Sequence, residues 1–335
     1  MSERMTNILG YLTLAAILAA IWILFGEDPT RDQGARGERS FAGLSERINE
    51  TALVSITNDE GAVTLHRDTN GWYVNERNGF PANIDKVRAF LRGFALSERR
   101  EPKTSNIDRF DRLGLASTAT EVALKDDTGG TLLSVKLGTR KGSNNGRSLT
   151  YMFQDTDTRA WLVTGIEAAD IDPVEWLDKD VLHIENARIA AVTVNDAALS
   201  RTSSDAGFIL ENVTEGTALQ PAWLRAEPAQ LFTLLTVEDV QKVNNPLADA
   251  IAEVSLKTYD GLALTVTVFN YQEGNWIKVT ATSVDNAGGD VPAEAVTINE
   301  KVSGWLFKIA DADAEILKRR KSDFVQIEQT EGSPS

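Results

Sequence analysis

The stretch EVALKDDTGG, opening at Glu121, returns as EVSLKTYDGL at Glu253. A chain that writes one strand-and-turn twice must fold so that both copies bury the same side chains. In the first copy Val122 and Leu124 share a face, and in the second Val254 and Leu256 do, because successive strand residues alternate sides. Beyond the turn the copies slip by one residue: Leu133, Val135 and Leu137 alternate in one, Leu264, Val266 and Val268 in the other. A slip inside a strand would turn every apolar side chain to the wrong face, so the extra residue is expected in the DDTGGT turn, where insertion is tolerated.

The echo extends outward. VSITNDEGAVTLHRDTNGWYV, from Val54, is answered by VTVNDAALSRTSSDAGFIL, from Val192; each reads as two strands, then a Gly and an aromatic residue opening a third. A helix follows in each copy. Ile84, Val87, Leu91 and Phe94 recur at helical spacing behind Pro81 and a capping Asn83, and Pro228 precedes Leu231, Leu234 and Leu235. At the far ends Trp161 aligns with Trp305, and Val181-Leu182-His183-Ile184-Glu185 with Phe324-Val325-Gln326-Ile327-Glu328. Short connections imply antiparallel neighbours, and a sheet with one apolar face needs cover. The expected fold is α+β: two tandem repeats of an antiparallel β-meander, each packed with one main amphipathic helix, and preceded by one transmembrane helix.

That helix is read from Ile8 to Phe25, eighteen residues without a charge. At 1.5 Å per residue they span about 27 Å, close to the thickness of a bilayer core. No small-x-small site follows, so an uncleaved anchor is expected rather than a signal peptide. The boundaries then run 1–7 cytoplasmic tail, 8–25 anchor, 26–50 flexible Gly/Arg/Ser-rich tether, 51–190 first module, 191–328 second module and 329–335 disordered tail. The charges flanking the span do not set its orientation. A single N-terminal span before one long body leads to the expectation of a single-pass protein of a bacterial inner membrane with its body in the periplasm.

Composition narrows the chemistry. The chain has 335 residues, a formal charge of −15, no cysteine and two histidines. Thiolate metal sites and disulfides are excluded, and the acidic balance argues against binding a phosphate backbone, so no nucleic acid is expected as a partner. The absence of thiols suits an oxidising compartment.

Four groups stand out within this frame. GTRKGSNNGRS, Gly138 to Ser148, reads as a hairpin tip whose Arg140, Lys141 and Arg147 are candidates to contact an anionic group or a partner; it lacks the Gly-Lys-Ser/Thr of a phosphate loop. The first helix carries Lys86, Arg88 and Arg92, a basic face absent from the second copy. Trp223 and Trp276 have no counterpart in the other copy and are candidate groove aromatics. The acidic run from Glu167 to Asp180 reads as a short helix opened by Pro173, and Asp155 and Asp157 as a polar turn without the ligand set of a calcium loop. His66 and His183 have no convergent partners in the pattern. No catalytic residue, metal site or cofactor is expected.

GWYVNERNGFPANIDKVRAFLRGFALSERRE, RFDRLGL, EVALKDDTGGTLLSVKLG, TYMFQDTDTRAWLV and EWLDKDVL follow one another in the order of the domain-of-unknown-function family numbered 4340, which this chain resembles over about Leu53 to Glu185. It departs where Ala-Ser-Thr, not proline, follows Gly114-Leu115. The family is similar to auxiliary proteins of gliding-motility-type ABC transporters. The resemblance implies a membrane-anchored extracytoplasmic accessory protein that docks on integral membrane transporter subunits without catalysis. The alternative is an envelope module binding glycan, lipid or peptide in a groove between the two modules.

Overall fold

The structure is a computed structural model, and it describes residues 13–18, 36–144, 147–243 and 249–326. Contacts divide the chain into two compact units: the first holds residues up to Asn70 and Asp85–Asp172, the second Gly71–Ile84 and the chain from Pro173.

The first unit begins with α1 (Leu44–Arg47), then β1 (Thr51–Thr57) and β2 (Ala62–Arg67). The chain next contributes β3 (Trp72–Val74) and β4 (Phe80–Pro81) to the second unit and returns with α2 (Ile84–Leu96), β5 (Glu98–Pro102), β6 (Thr120–Asp126), β7 (Thr131–Asn144), β8 (Arg147–Phe153) and β9 (Trp161–Thr164). Its antiparallel sheet runs β2-β1-β6-β7-β8-β9-β5. The register builds one apolar ladder: Val54 lies opposite both Leu65 and Leu124, Ile56 opposite Val63 and Val122, and Leu124 opposite Leu133. All of these are buried, as alternation with one core face requires.

The second unit holds β10 (Asp180–Leu182), β11 (Ile189–Val194), β12 (Ala197–Ser200), β13 (Ile209–Leu210), α3 (Ala222–Leu231), β14 (Leu235–Thr236), β15 (Asp239–Lys242), β16 (Ala252–Thr258), β17 (Leu262–Tyr271), β18 (Gly274–Ser283), α4 (Val291–Val302), β19 (Trp305–Ile309) and α5 (Asp311–Lys318). Eight strands form an antiparallel sheet in the order β13-β12-β11-β16-β17-β18-β19-β15, and β10 pairs with β14 in a two-stranded ribbon. From β12 to β15 the order matches that of the first unit from β2 to β5, strand for strand. The irregularities match as well: β1 shifts register against β6 between Thr51 and Leu53, and β11 against β16 between Ile189 and Ala191. Trp161 opens β9 opposite Pro102, and Trp305 opens β19 opposite Lys242.

The fold class read from the sequence needs correction. The molecule is mostly antiparallel sheet with few, short helices, and the repeats are not helix-packed meanders. Strand β7, at 14 residues, absorbs Gly138 to Asn144 of the stretch read as a hairpin tip, and β17 and β18 run to 10 residues each. The helical layer is also not duplicated: α2 has 13 residues and buries Val87, Phe90 and Phe94, whereas α3 has 10, contains Pro228 and buries only Pro228 and Ala229. Proline inside a helix removes a hydrogen bond and leaves a poorer packing element.

Among the described residues the predicted transmembrane helix is not found. Of Ile8–Phe25 only residues 13–18 are described; they are helical, with Leu14, Ile17 and Leu18 about half exposed. Six residues rise about 9 Å, and among the described residues no helix is long and apolar enough to cross a membrane. The predicted tails 1–7 and 329–335 lie outside the described residues.

Three local readings also differ. The extra residue of the first copy is not inside the turn: β6 and β7 change register between Leu124 and Lys125, a bulge just as the strand leaves it, whereas β16 and β17 pair without a shift. Residues 36–50 are not tether, because Phe41 and Leu44 are buried. The end-to-end alignment moves too. An isolated bridge joins Ala82 to Leu177, with Asn83 N–H donating to Trp176 O at 2.8 Å and Asp178 N–H to Pro81 O at 3.0 Å. The same bridge joins Leu219 to Val325, with Gln220 N–H donating to Phe324 O at 2.9 Å and Gln326 N–H to Ala218 O at 2.8 Å. Hydrogen bonding therefore equates Trp176-Leu177-Asp178, not Val181-Leu182-His183, with Phe324-Val325-Gln326.

Candidate functional site

In the first unit a cavity of about 310 Å³ opens beside the C-terminal half of α2, lined by Arg39, Arg92, Gly93, Leu96, Glu98 and Glu167 among others. Its walls are fixed by backbone. Gly37 N–H donates to Arg99 O at 2.8 Å, Arg99 N–H to Glu38 O at 3.0 Å and Ser40 N–H to Ser97 O at 2.8 Å, so the stretch before α1 lies along the start of β5. Arg39 donates to Leu96 O at 2.5 Å, placing a cation on the last carbonyls of α2, where the helix dipole favours it.

The opposite wall is the turn after β9. Gly165 N–H donates to Ser148 O at 3.1 Å, and the buried Ser148 hydroxyl donates to Ile166 O at 2.7 Å. Gly165 has φ +89°, and a Cβ on Gly93 would stand 2.6 Å from Gly165 O. Helix and turn therefore meet backbone to backbone, and only glycine fits both places.

This packing brings the two basic groups of the sequence to one region. Arg140, from β7, pairs with Glu167 at 3.6 Å, and Lys86 with Asp170 at 2.6 Å. Arg92 lines the cavity, is exposed, and among the described residues no acid pairs with it. Arg88 sits further out, 3.9 Å from Asp85. Lys141 is exposed on β7; the side chain of Arg147 lies outside what is described. Nearby on β5 the Lys103 hydrogen bond first, and then Lys141 and Arg36, hold the Glu101 carboxyl below the usual range.

The two candidate aromatics fare differently. Trp223 is 62% exposed on α3, whereas Trp276 is buried at 5%, clustered with Phe269, Leu306 and Tyr271. Asp157 pairs with Arg99 at 2.7 Å. Pro173 opens a 3-10 turn to Trp176. His66 lies on β2 and His183 just beyond β10, in different units. Among the described residues no group of three His, Cys, Asp or Glu gathers to hold a metal ion.

Sequence reasoning missed Arg39, Glu98 and the Gly93–Gly165 contact. A glycine inside an otherwise amphipathic helix was the available signal for the last, since it marks a close approach. Chemically the cavity pairs an apolar shelf, Gly93 and the half-exposed Leu96, with a guanidinium, that of Arg92, to which no acid is paired among the described residues. That suits a carboxylate-bearing partner side chain or chain end with an aliphatic neighbour.

The family model for "Domain of unknown function (DUF4340)" matches residues 72–263, more than half of the chain. The chain belongs to the DUF4340 family. The match begins at β3 and ends in β17, so the family pattern extends well into the second unit, further than the sequence motifs indicated. No curated protein and no solved structure shows a significant match.

Proposed function

We propose that the chain is an accessory protein of an ABC-type membrane transporter complex, with its body on the periplasmic side, acting by docking rather than catalysis. The observation that carries this reading is the cavity beside α2, where among the described residues no acid pairs with Arg92, and where Arg140 and Lys86 stand close by, paired with Glu167 and Asp170. Such a site selects an acidic element of a partner, and charge complementarity would set both the encounter rate and the orientation of docking. The resemblance to transporter auxiliary proteins supplies the partner class.

The test is affinity purification of the full-length chain from membranes. Transporter subunits are expected with the parent chain and at least tenfold less with Arg92→Glu combined with Arg140→Glu. Recovery of no transporter subunit, or recovery unchanged by the double variant, removes this reading.

A second reading, binding of an envelope glycan, lipid or peptide, is favoured by Trp223 alone, since its ring is 62% exposed. Saturable quenching of tryptophan emission by envelope oligosaccharides, abolished in Trp223→Ala, would support it.

A further inference from the structure

Two arginines from different elements, Arg39 and Arg92, line the cavity beside α2, and neither guanidinium is used up. Arg39 reaches Leu96 O and, at 3.5 Å, Glu98. Both contacts leave from Nη1, so its Nη2 and Nε donate to no described residue. Arg92 is exposed, and among the described residues no acid pairs with it. The two carboxylates of the lining, in contrast, are already neutralised. Glu98 has Arg39 at 3.5 Å and Arg100 at 3.3 Å, and Glu167 has Arg140 at 3.6 Å. Arg39, Arg92, Arg100 and Arg140 thus stand against Glu98 and Glu167, four cations to two anions.

The remaining lining is Ala89, Gly93, Leu96 and Gly165. Leu96 is 46% exposed, whereas Val87, Phe90 and Phe94 of the same helix are buried. Neither Gly93 nor Gly165 contributes a side chain, and the room they leave is part of the cavity of about 310 Å³. That volume is at the lower end for a ligand site and holds about one or two residues of a peptide. A partner strand cannot add along this wall. Gly37, Glu38 and Ser40 already pair by backbone with Arg99 and Ser97, so the outer edge of β5 is taken at the cavity.

We infer that the cavity captures the free carboxyl end of a partner polypeptide whose last residue is aliphatic. Arg92 and the unused edge of Arg39 hold the carboxylate, and Leu96 receives the side chain. The inference rests on reading this cavity as a docking site, and it narrows the acidic element of the partner to a chain end. Charge complementarity sets the sign, and guanidinium groups are suited to carboxylates because their N–H donors match the two oxygens. The choice of a chain end follows from what else the cavity offers. Arg140 touches only Oε2 of Glu167, which leaves Oε1 to accept a peptide N–H. A cation, an acceptor and an apolar shelf therefore lie within one small volume. A chain end carries a carboxylate, an N–H and a side chain on a single carbon and satisfies all three. An Asp or Glu side chain carries its carboxylate without an apolar branch beside it and leaves Leu96 in water.

Fluorescence anisotropy of the purified full-length chain tests this with a fluorescein-labelled peptide, Gly-Ser-Gly-Ser-Ala-Leu, bearing a free carboxyl end. Two further peptides isolate the chain end: the same sequence amidated, and an amidated one with glutamate in place of the leucine. The free acid is expected to bind saturably and at least tenfold more tightly than either. Arg92→Gln should weaken it at least tenfold, whereas Arg88→Gln, one turn earlier on α2 and outside the lining, should change it less than threefold. Both side chains are exposed, so both variants should melt within about 2 °C of the parent. Absence of saturable binding at about 1 mM free acid overturns the inference. So does either amidated peptide binding within tenfold of the free acid, or a loss below tenfold in Arg92→Gln. No transporter takes part in this assay. Its failure therefore leaves a positive co-purification standing, and a failed co-purification leaves the peptide result standing.

Discussion

Replacing Phe80 with alanine tests the least expected feature of the fold, the membership of Gly71–Ile84 in the second unit. Phe80 is fully buried and edge-on to both Trp305 and Phe307. Truncating a buried phenylalanine to alanine costs about 3–5 kcal/mol, of which each lost aromatic pair accounts for about 0.5–1.5. At about 1.4 kcal/mol per factor of ten, the open state of the unit that contains Phe80 rises by roughly two to three and a half powers of ten. Domains are commonly stable by about 5–15 kcal/mol, so that unit should remain folded yet open far more often. Amide hydrogen exchange by mass spectrometry reads this directly. Peptides from β18 and β19 should exchange at least 100-fold faster in Phe80→Ala, while those from β6 and β8 change less than threefold. Phe90→Ala, which removes a 2%-exposed ring on α2 packed 5.0 Å from Phe94, should do the reverse. If Phe80→Ala instead accelerates β6 and β8, or both sheets equally, then Phe80 does not belong energetically to the second unit and the division fails.

Other perturbations follow from single contacts. Gly93→Ala should lower the chemical denaturation midpoint by an amount equivalent to about 1–3 kcal/mol despite alanine's better helix propensity, because its Cβ would stand 2.6 Å from Gly165 O; a raised midpoint would refute the close approach. The Asp126 carboxyl is held below its ordinary value of 3.8, chiefly by the Thr128 hydroxyl and then by Gly130 N–H. Its folded pKa being depressed, its stabilisation is present above that unfolded value and lost as pH falls through the folded one, so Asp126→Ala should be more destabilising at pH 7 than at pH 2 in parallel urea melts. Asp313 has the opposite sign: burial first, and Glu238 second, push its carboxyl up from 3.8. Its ionisation therefore opposes folding above the folded pKa, and Asp313→Asn should raise the urea midpoint at pH 7 with no gain at pH 2.

The strands were legible because alternation is a local signal with a strong penalty for error. Val122 and Leu124, or Val254 and Leu256, have only one face that avoids water, and the register of β6 on β1 and of β16 on β11 follows from that. Pairing between distant segments is not encoded locally. GWYV and NGFP announce strands and a turn, but nothing in those letters says that Phe80 will rest on Trp305 rather than on the adjacent Phe90. The same limit hid the cavity beside α2. Arg39 sits among Gly, Arg and Ser and reads as tether, and it becomes structural only because Ser40 and Ser97 meet at 2.8 Å and the backbone pairs on either side of them.

The misalignment of the repeat ends shows why letters and hydrogen bonds can disagree. VLHIE and FVQIE look alike because both alternate apolar and polar residues, a pattern any half-buried strand adopts. The true equivalents, Trp176-Leu177-Asp178 and Phe324-Val325-Gln326, share little but an inward aromatic, since their backbones are held by the bridge and their outer side chains answer to different neighbours. In the first bridge those neighbours are Trp305, Phe307 and Lys301, which favour Phe80, Leu177 and Asp178. In the second no described residue of the chain supplies such a cap, and the outer residues are smaller and more polar. Divergence between otherwise equivalent positions therefore marks where a repeat stops meeting itself.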